Sequence, residues 1–271
     1  MKKIKKARTH LAAIVLGLAV FLCATPSRAD YQTSFDVPPY TLNSTIVGVE
    51  GWTEGAGSAV STGIVTTAPW DAETTVYRLN LGDGGNVVRV KNSGFTPLTG
   101  KVALTVTMAF DFGTQDKTTL SSFAFTDGIA GPISFGFFHQ SDANGGGLYY
   151  QGADNERVTI LAKSQMAKNA IYEFTLTIDI AAKLFDISVS GIKTDEQPFS
   201  FSAASLSSGT FKNGNLNLIY LSNGGNASFT TYVDQIDLRA IPEPGAVALV
   251  LSAGAGFLLL SSRKSNRQGS L

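Results

Sequence analysis

The sequence predicts an all-β chain, a two-sheet antiparallel sandwich occupying residues 30–240, and three observations lead there. Apolar and polar residues alternate with a period of two in several runs, glycine- and asparagine-rich clusters separate those runs, and no segment between the two ends carries a long 3.6-residue stripe. The chain is 44% hydrophobic and 15% charged over 271 residues, too apolar and too weakly charged for disorder. A single cysteine excludes a disulfide framework or a thiolate zinc cluster.

Residues 1–29 read as a secretory signal peptide: a lysine cluster, an apolar run from Leu11 to Cys23, then Ser27-Arg28-Ala29 as a small-residue cleavage site. The apolar run is short for a span of about 20 residues, and Cys23 departs with the peptide. Strands are then expected at 76–81 and 87–91. The clearest run follows, where Val102, Leu104, Val106, Met108, Phe110 and Phe112 alternate with Ala103, Thr105, Thr107, Ala109 and Asp111. Further strands are expected at 122–126, 133–138 and 157–163. Tyr172, Phe174, Leu176, Ile178 and Ile180 alternate with Glu173, Thr175, Thr177 and Asp179, and Phe185, Ile187 and Val189 follow Ala181-Ala182-Lys183 as the return arm of a hairpin. Strands at 216–221 and 229–238 complete the set. Asp83-Gly84-Gly85-Asn86, Asn144-Gly145-Gly146-Gly147 and Asn223-Gly224-Gly225-Asn226 supply turns that tolerate positive φ. Without a proline-rich linker or an internal repeat, about 210 residues of strands fit one sandwich.

The C-terminus runs Ile241-Pro242-Glu243-Pro244-Gly245, an apolar stretch over 246–262, then Arg263-Lys264-Ser265-Asn266-Arg267. Two prolines break any regular element, the stretch sits at the lower limit for a membrane-spanning helix, and the basic cluster marks its cytoplasmic end. Residues 241–267 resemble the PEP-CTERM sorting signal of Gram-negative bacteria. The resemblance implies that a membrane-embedded exosortase recognises Pro242, Glu243 and Pro244 and removes the tail, after a signal peptidase has cut the leader. It also implies transient anchoring in the inner membrane and delivery to the cell surface or an extracellular matrix.

The stretches 171–179 and 184–191, with Tyr232-Val233-Asp234-Gln235-Ile236-Asp237-Leu238, resemble the second half of a concanavalin A-like (laminin G-like) jelly roll over about 70 residues. Phe35 to Tyr40 and Gly51-Trp52 resemble the opening of exported bacterial proteins of that fold. Resemblance of fold does not carry activity with it.

Chemistry is sparse. Glucan hydrolases of this jelly-roll class carry a Glu-x-Asp-x-x-Glu strand, and that spacing is absent; remote pairs such as Glu50 with Asp234 remain the alternative. His139 is the one histidine outside the leader, which excludes a zinc site built on several imidazoles, and its place between Phe138 and Gln140 suits a strand end. Counting by two from Tyr232 puts Asp234 on the face of Ile236 and Leu238, so it needs a cation, backbone donors or a bulge that turns it outward. Calcium is the candidate cofactor, with Asp36, Glu50 and Asp234 as oxygen ligands; a hydrogen-bonded or bulged aspartate is the other reading. Asp142, Asn144 and Asp154 make a second oxygen-rich loop set. Trp70, Tyr149 and Tyr150 are candidate platforms for sugar stacking, and the adjacent tyrosines must point to opposite faces if extended. Trp52 is expected in the core.

Residues 30–240 hold twelve bases against twenty acids, a net charge of −8 that disfavours nucleic acid as a partner. The expectation is an exported, non-enzymatic surface or matrix protein whose jelly roll either binds carbohydrate, with extracellular polysaccharide as the candidate partner, or simply contributes structure. The alternatives are a secreted polysaccharide-active hydrolase of the same fold and a protein-binding adhesion or assembly component.

Overall fold

The computed structural model describes residues 31–55, 63–80, 88–95, 100–111, 119–126, 132–139, 145–153, 156–166, 170–193, 207–212, 216–224 and 229–241. Pro242-Glu243-Pro244, the leader, the 246–262 span and the Asp142, Asn144 and Asp154 set lie outside them. Among the described residues no helix is long and apolar enough to cross a membrane.

Fifteen described strands follow in order: β1 (Tyr31–Thr33), β2 (Trp52–Glu54), β3 (Gly63–Ala68), β4 (Asp71–Asn80), β5 (Val88–Asn92), β6 (Lys101–Asp111), β7 (Thr119–Thr126), β8 (Ile133–His139), β9 (Gly147–Gln151), β10 (Arg157–Ala162), β11 (Ile171–Asp179), β12 (Leu184–Lys193), β13 (Ser207–Thr210), β14 (Leu218–Gly224) and β15 (Thr230–Ile241). One sheet of eight runs β13-β12-β11-β6-β15-β4-β3 with β1 also on β15; the other, of seven, runs β10-β9-β8-β7-β14-β5-β2. The described pairings are antiparallel. This is the two-sheet jelly-roll sandwich that the alternation predicts.

The period-two runs land as expected. Leu104 pairs with Leu176 and Val106 with Phe174, and the hairpin closes as Ile178 meets Phe185. Lys183 takes the left-handed conformation (φ 58°) that so short a turn requires. Val102, Leu104, Val106, Phe174, Leu176 and Ile187 point inward with no exposed surface, against Phe123, Phe125, Phe135 and Phe137 of the facing sheet. Phe135 ties the layers directly, its ring 4.9 Å from Phe123 on one side and 4.9 Å from Phe174 on the other. Trp52 is fully buried, as its size demands.

Two expectations change. Asn223, read as a turn residue, is the buried penultimate residue of β14; its amide donates to the Leu79 carbonyl at 2.9 Å. The alternation of β15 also breaks. Thr231 and Val233 face inward while pairing with Leu79 and Tyr77 of β4, whereas Ile236 and Leu238 face inward while pairing with Thr33 and Tyr31 of β1. Strict alternation cannot bury both 233 and 236, so the strand bulges at Asp234-Gln235, where it leaves one partner strand for another.

Candidate functional site

Two regions collect the polar chemistry. The first lies where β1, β4 and β15 meet. The bulge turns Asp234 away from the core, so it does not share the face of Ile236 and Leu238. Burial, then the charges of Asp36 and Asp71, push its carboxyl up to about 6. Asp71, at the start of β4, caps its own turn, accepting from the Glu73 backbone at 3.0 Å and the Thr74 hydroxyl at 2.9 Å. Asp36 accepts from the hydroxyls of Ser34 and Thr75. Trp70 lies in the turn between β3 and β4, half-buried, with its ring edge-on to Tyr232 at 5.8 Å.

Asp36 and Glu50 line one open concavity of about 280 Å³ with Thr33 and Tyr40. The Tyr40 hydroxyl donates to Glu50 Oε2 at 2.7 Å and meets the Thr33 hydroxyl at 3.0 Å. Glu50 itself has left-handed backbone (φ 46°), and its carbonyl accepts from the fully buried Asn92 amide at 2.7 Å. The Asn92 side-chain oxygen Oδ1 accepts from the Gly94 N–H at 2.7 Å. The Trp52 indole N–H faces the Tyr31 and Tyr40 phenols without closing a full hydrogen bond, and burial raises both phenols. Of the three predicted calcium ligands, then, Asp36 and Glu50 share a cavity and Asp234 is coupled to Asp36. Among the described residues no group of three carboxylate, imidazole or thiol side chains gathers closely enough to hold a metal ion.

The second region is the outer face of the seven-stranded sheet. Tyr149 and Tyr150 point to opposite faces as extended backbone requires, yet neither offers an open ring. Tyr150 is a core residue, edge-on to Phe185 at 5.7 Å, and Tyr149, on the outer face, is 1% exposed. Tyr149 pairs with Gly136 of β8, and its hydroxyl meets Ser134 of the same strand and Ser122 of β7. The edge of Phe138 at 5.5 Å and the Arg157 guanidinium at 5.8 Å enclose the ring, and burial raises the phenol.

The register lays out the rest of this face. One row crosses the sheet as Arg157, Gln151, Ser134, Ala124, Tyr220 and Lys91. The next crosses as Thr159, Tyr149, Gly136, Ser122, Ser222 and Arg89. Small and hydroxyl side chains thus make a floor, with Tyr149 beside Arg157 at one side. Tyr220 stands beside Arg89 at the other, half-buried, its phenol raised by burial and drawn back by the guanidinium. The two tyrosines stand on strands three steps apart, about 14 Å at the usual inter-strand spacing. Tyr220, Arg89 and Lys91 were not singled out by sequence. Their role emerges from cross-strand pairing, which no short motif records.

His139 closes β8, 5% exposed, with Nδ1–H donating to the Gly145 carbonyl at 2.7 Å, the strand-end role expected of it.

No family model and no curated relative matches the chain. Solved structures to which its fold is similar include peanut lectin bound to a nonamer peptide, with a TM-score of 0.45, 10% identity and coverage of 73% of this chain and 94% of that one. A carbohydrate esterase of Shiga toxin-encoding bacteriophage phi24B gives 0.48 and 12%, covering 79% and 99%. A beta-1,3-glucanase from Mycobacterium marinum gives 0.47 and 11%, covering 79% and 100%. The expectation of a non-enzymatic domain is corrected by this set: enzymes acting on carbohydrate stand in it beside a lectin, so the architecture gives no ground for excluding catalysis.

Proposed function

We propose that the chain is exported, held in the inner membrane by residues 246–262 until an exosortase cleaves at the Pro242-Glu243-Pro244 signal, and displays a saccharide-recognising sandwich at the cell surface or in the extracellular matrix. The observation that supports recognition is the outer face of the seven-stranded sheet. Ser122, Ser222, Tyr220, Arg89 and Lys91 are partly exposed on neighbouring strands, with Arg157 exposed at the edge strand. Hydroxyls and guanidinium groups suit the dense donors and acceptors of a sugar, and the half-buried ring of Tyr220 suits its apolar C–H face.

A glycan array probed with the purified protein, in calcium and in chelator, tests this, followed by product analysis on every hit. Retention on a saccharide supports the reading, with product analysis separating a binding module from an enzyme. Silence on every glycan overturns it. For sorting, replacement of Pro242, Glu243 and Pro244 by alanine leaves the protein uncleaved in the inner membrane; normal release of that variant removes the sorting half.

A further inference from the structure

We infer that Tyr220 is the platform on which the seven-stranded face stacks a pyranose whose hydroxyls are all equatorial, and that Gly55 is the positioning residue that lets its ring lie along the sheet; this rests on the recognition reading above. Tyr220 stands on β14 and pairs with Lys91 of β5, which pairs in turn with Thr53 of β2. Gly55 follows β2 and continues the same ladder, its N–H donating to the Arg89 carbonyl at 2.9 Å. The whole of β5 therefore lies between the tyrosine's strand and the glycine. Even so, a Cβ on Gly55 would meet the Tyr220 hydroxyl oxygen at 2.8 Å and Cε2 of its ring at 3.1 Å. Two strand spacings are about 10 Å, so a side chain standing upright from β14 could not come that close. The phenol leans over β5 and covers Gly55, which is buried although it carries no side chain.

Laid down in this way, the half-buried ring offers solvent its long side, where an upright one would offer its tip. Tyr149 on the same face is enclosed by Phe138 and Arg157, whereas among the described residues no second ring packs on Tyr220. The side chains beside Tyr220 include short ones: Ser222 two residues along β14, Ser122 opposite it on β7, and Thr53 on β2. All three keep exposed surface, so a sugar laid on the ring can reach hydroxyl partners at its margin. The electron-rich face of an aromatic ring attracts the weakly positive hydrogens of C–H bonds. A pyranose with every hydroxyl equatorial turns only C–H bonds toward such a face, while an axial hydroxyl would hold the sugar off it. A side chain at position 55 would displace the phenol and tilt the platform, which is the reason this position needs glycine.

The test is proton NMR of cellohexaose, a chain of all-equatorial pyranoses, titrated with the full chain in detergent; sorbitol serves as a polyol without a ring. The expected result is saturable binding of cellohexaose and none of sorbitol, with sugar C–H protons moved upfield at saturation by the current of the aromatic ring. Tyr220→Phe keeps both affinity and shift. Tyr220→Leu, still apolar but without a ring, loses the shift and about tenfold in affinity. Gly55→Ala reduces the shift extrapolated to saturation, and adding Tyr220→Phe recovers part of it, because the hydroxyl is one of the atoms the new Cβ displaces. A glycine needed only for folding would lower the melting temperature and leave the saturated shift as in the parent, which overturns the positioning role. Parent-like binding by Tyr220→Leu, or equal binding of sorbitol, overturns the platform. Glycans retained on the array without any binding of cellohexaose overturn it too and leave recognition standing. Silence of the array and of cellohexaose together removes the recognition reading itself.

Discussion

Asp234 is where pH should act on this fold. Its carboxyl titrates near 6 in the folded chain against an ordinary 3.8, so the folded state binds the proton more tightly than the unfolded one. Stability contributed by this group is therefore full below pH 3.8 and falls as pH rises through 6. Asp234→Asn should raise the melting temperature at pH 7.5 by about 2–4 °C, the shift that ~1 kcal/mol gives a domain of this size after allowing for partial exposure, and should make no difference at pH 3.5. A gain of the same size at both pH values would show that charge is not the cause. Asn92 acts at the same scale through hydrogen bonds. Asn92→Ala strands the Glu50 carbonyl and the Gly94 N–H, and should lower stability by about 1–3 kcal/mol in urea unfolding. Gly136 is the third such position: a Cβ there would lie 2.3 Å from the Ser121 carbonyl oxygen, in a backbone at φ 146°. Gly136→Ala should cost about 3 kcal/mol or prevent folding, read from soluble yield and the melt.

At the scale of elements, the hairpin of β11 and β12 and the long strand β6 were legible in the sequence because one face of each is core and the other is not. Strands β1, β2, β3, β9 and β13 were not. Three to six residues are too few to establish a period, and their place is set by partners far away, as when Trp52 pairs with Asn92 and Glu54 with Val90 of β5. The bulge in β15 defeated counting for a related reason. A period-two rule assumes one partner along the whole strand, whereas β15 pairs with β4 over Thr230–Val233 and with β1 over Ile236–Leu238. Bulging had been one stated way for Asp234 to leave the core, and it is the way taken. A buried bond then joins the sheets themselves: the Thr231 hydroxyl of β15 donates to the Ser121 hydroxyl of β7 at 2.6 Å. Thr231→Val should lose about 1–3 kcal/mol by leaving Ser121 unpaired, and the double variant with Ser121→Ala should recover part of it. Strict additivity of the two single losses would show that the bond contributes nothing.

At the largest scale the sandwich packs one aromatic core between its two sheets, and the net charge of −8 belongs to residues 30–240 while the chain as a whole is neutral. The candidate site was thus legible in part. Tyr149 was found by residue type, but its neighbours across the sheet, Tyr220 and Arg89, lie 71 and 60 positions away in the chain. The exclusion of catalysis failed at this scale too, because the lack of one hydrolase motif says nothing of other constellations on the same architecture. The most direct measurement is hydrogen exchange of the purified protein with and without a glycan retained on the array. Protection of β7, β8 and β14 around Ser122, Ser134 and Tyr220, abolished by Tyr220→Ala, is the result expected. Protection confined to the concavity of Asp36, Tyr40 and Glu50, or to the eight-stranded sheet, would contradict it.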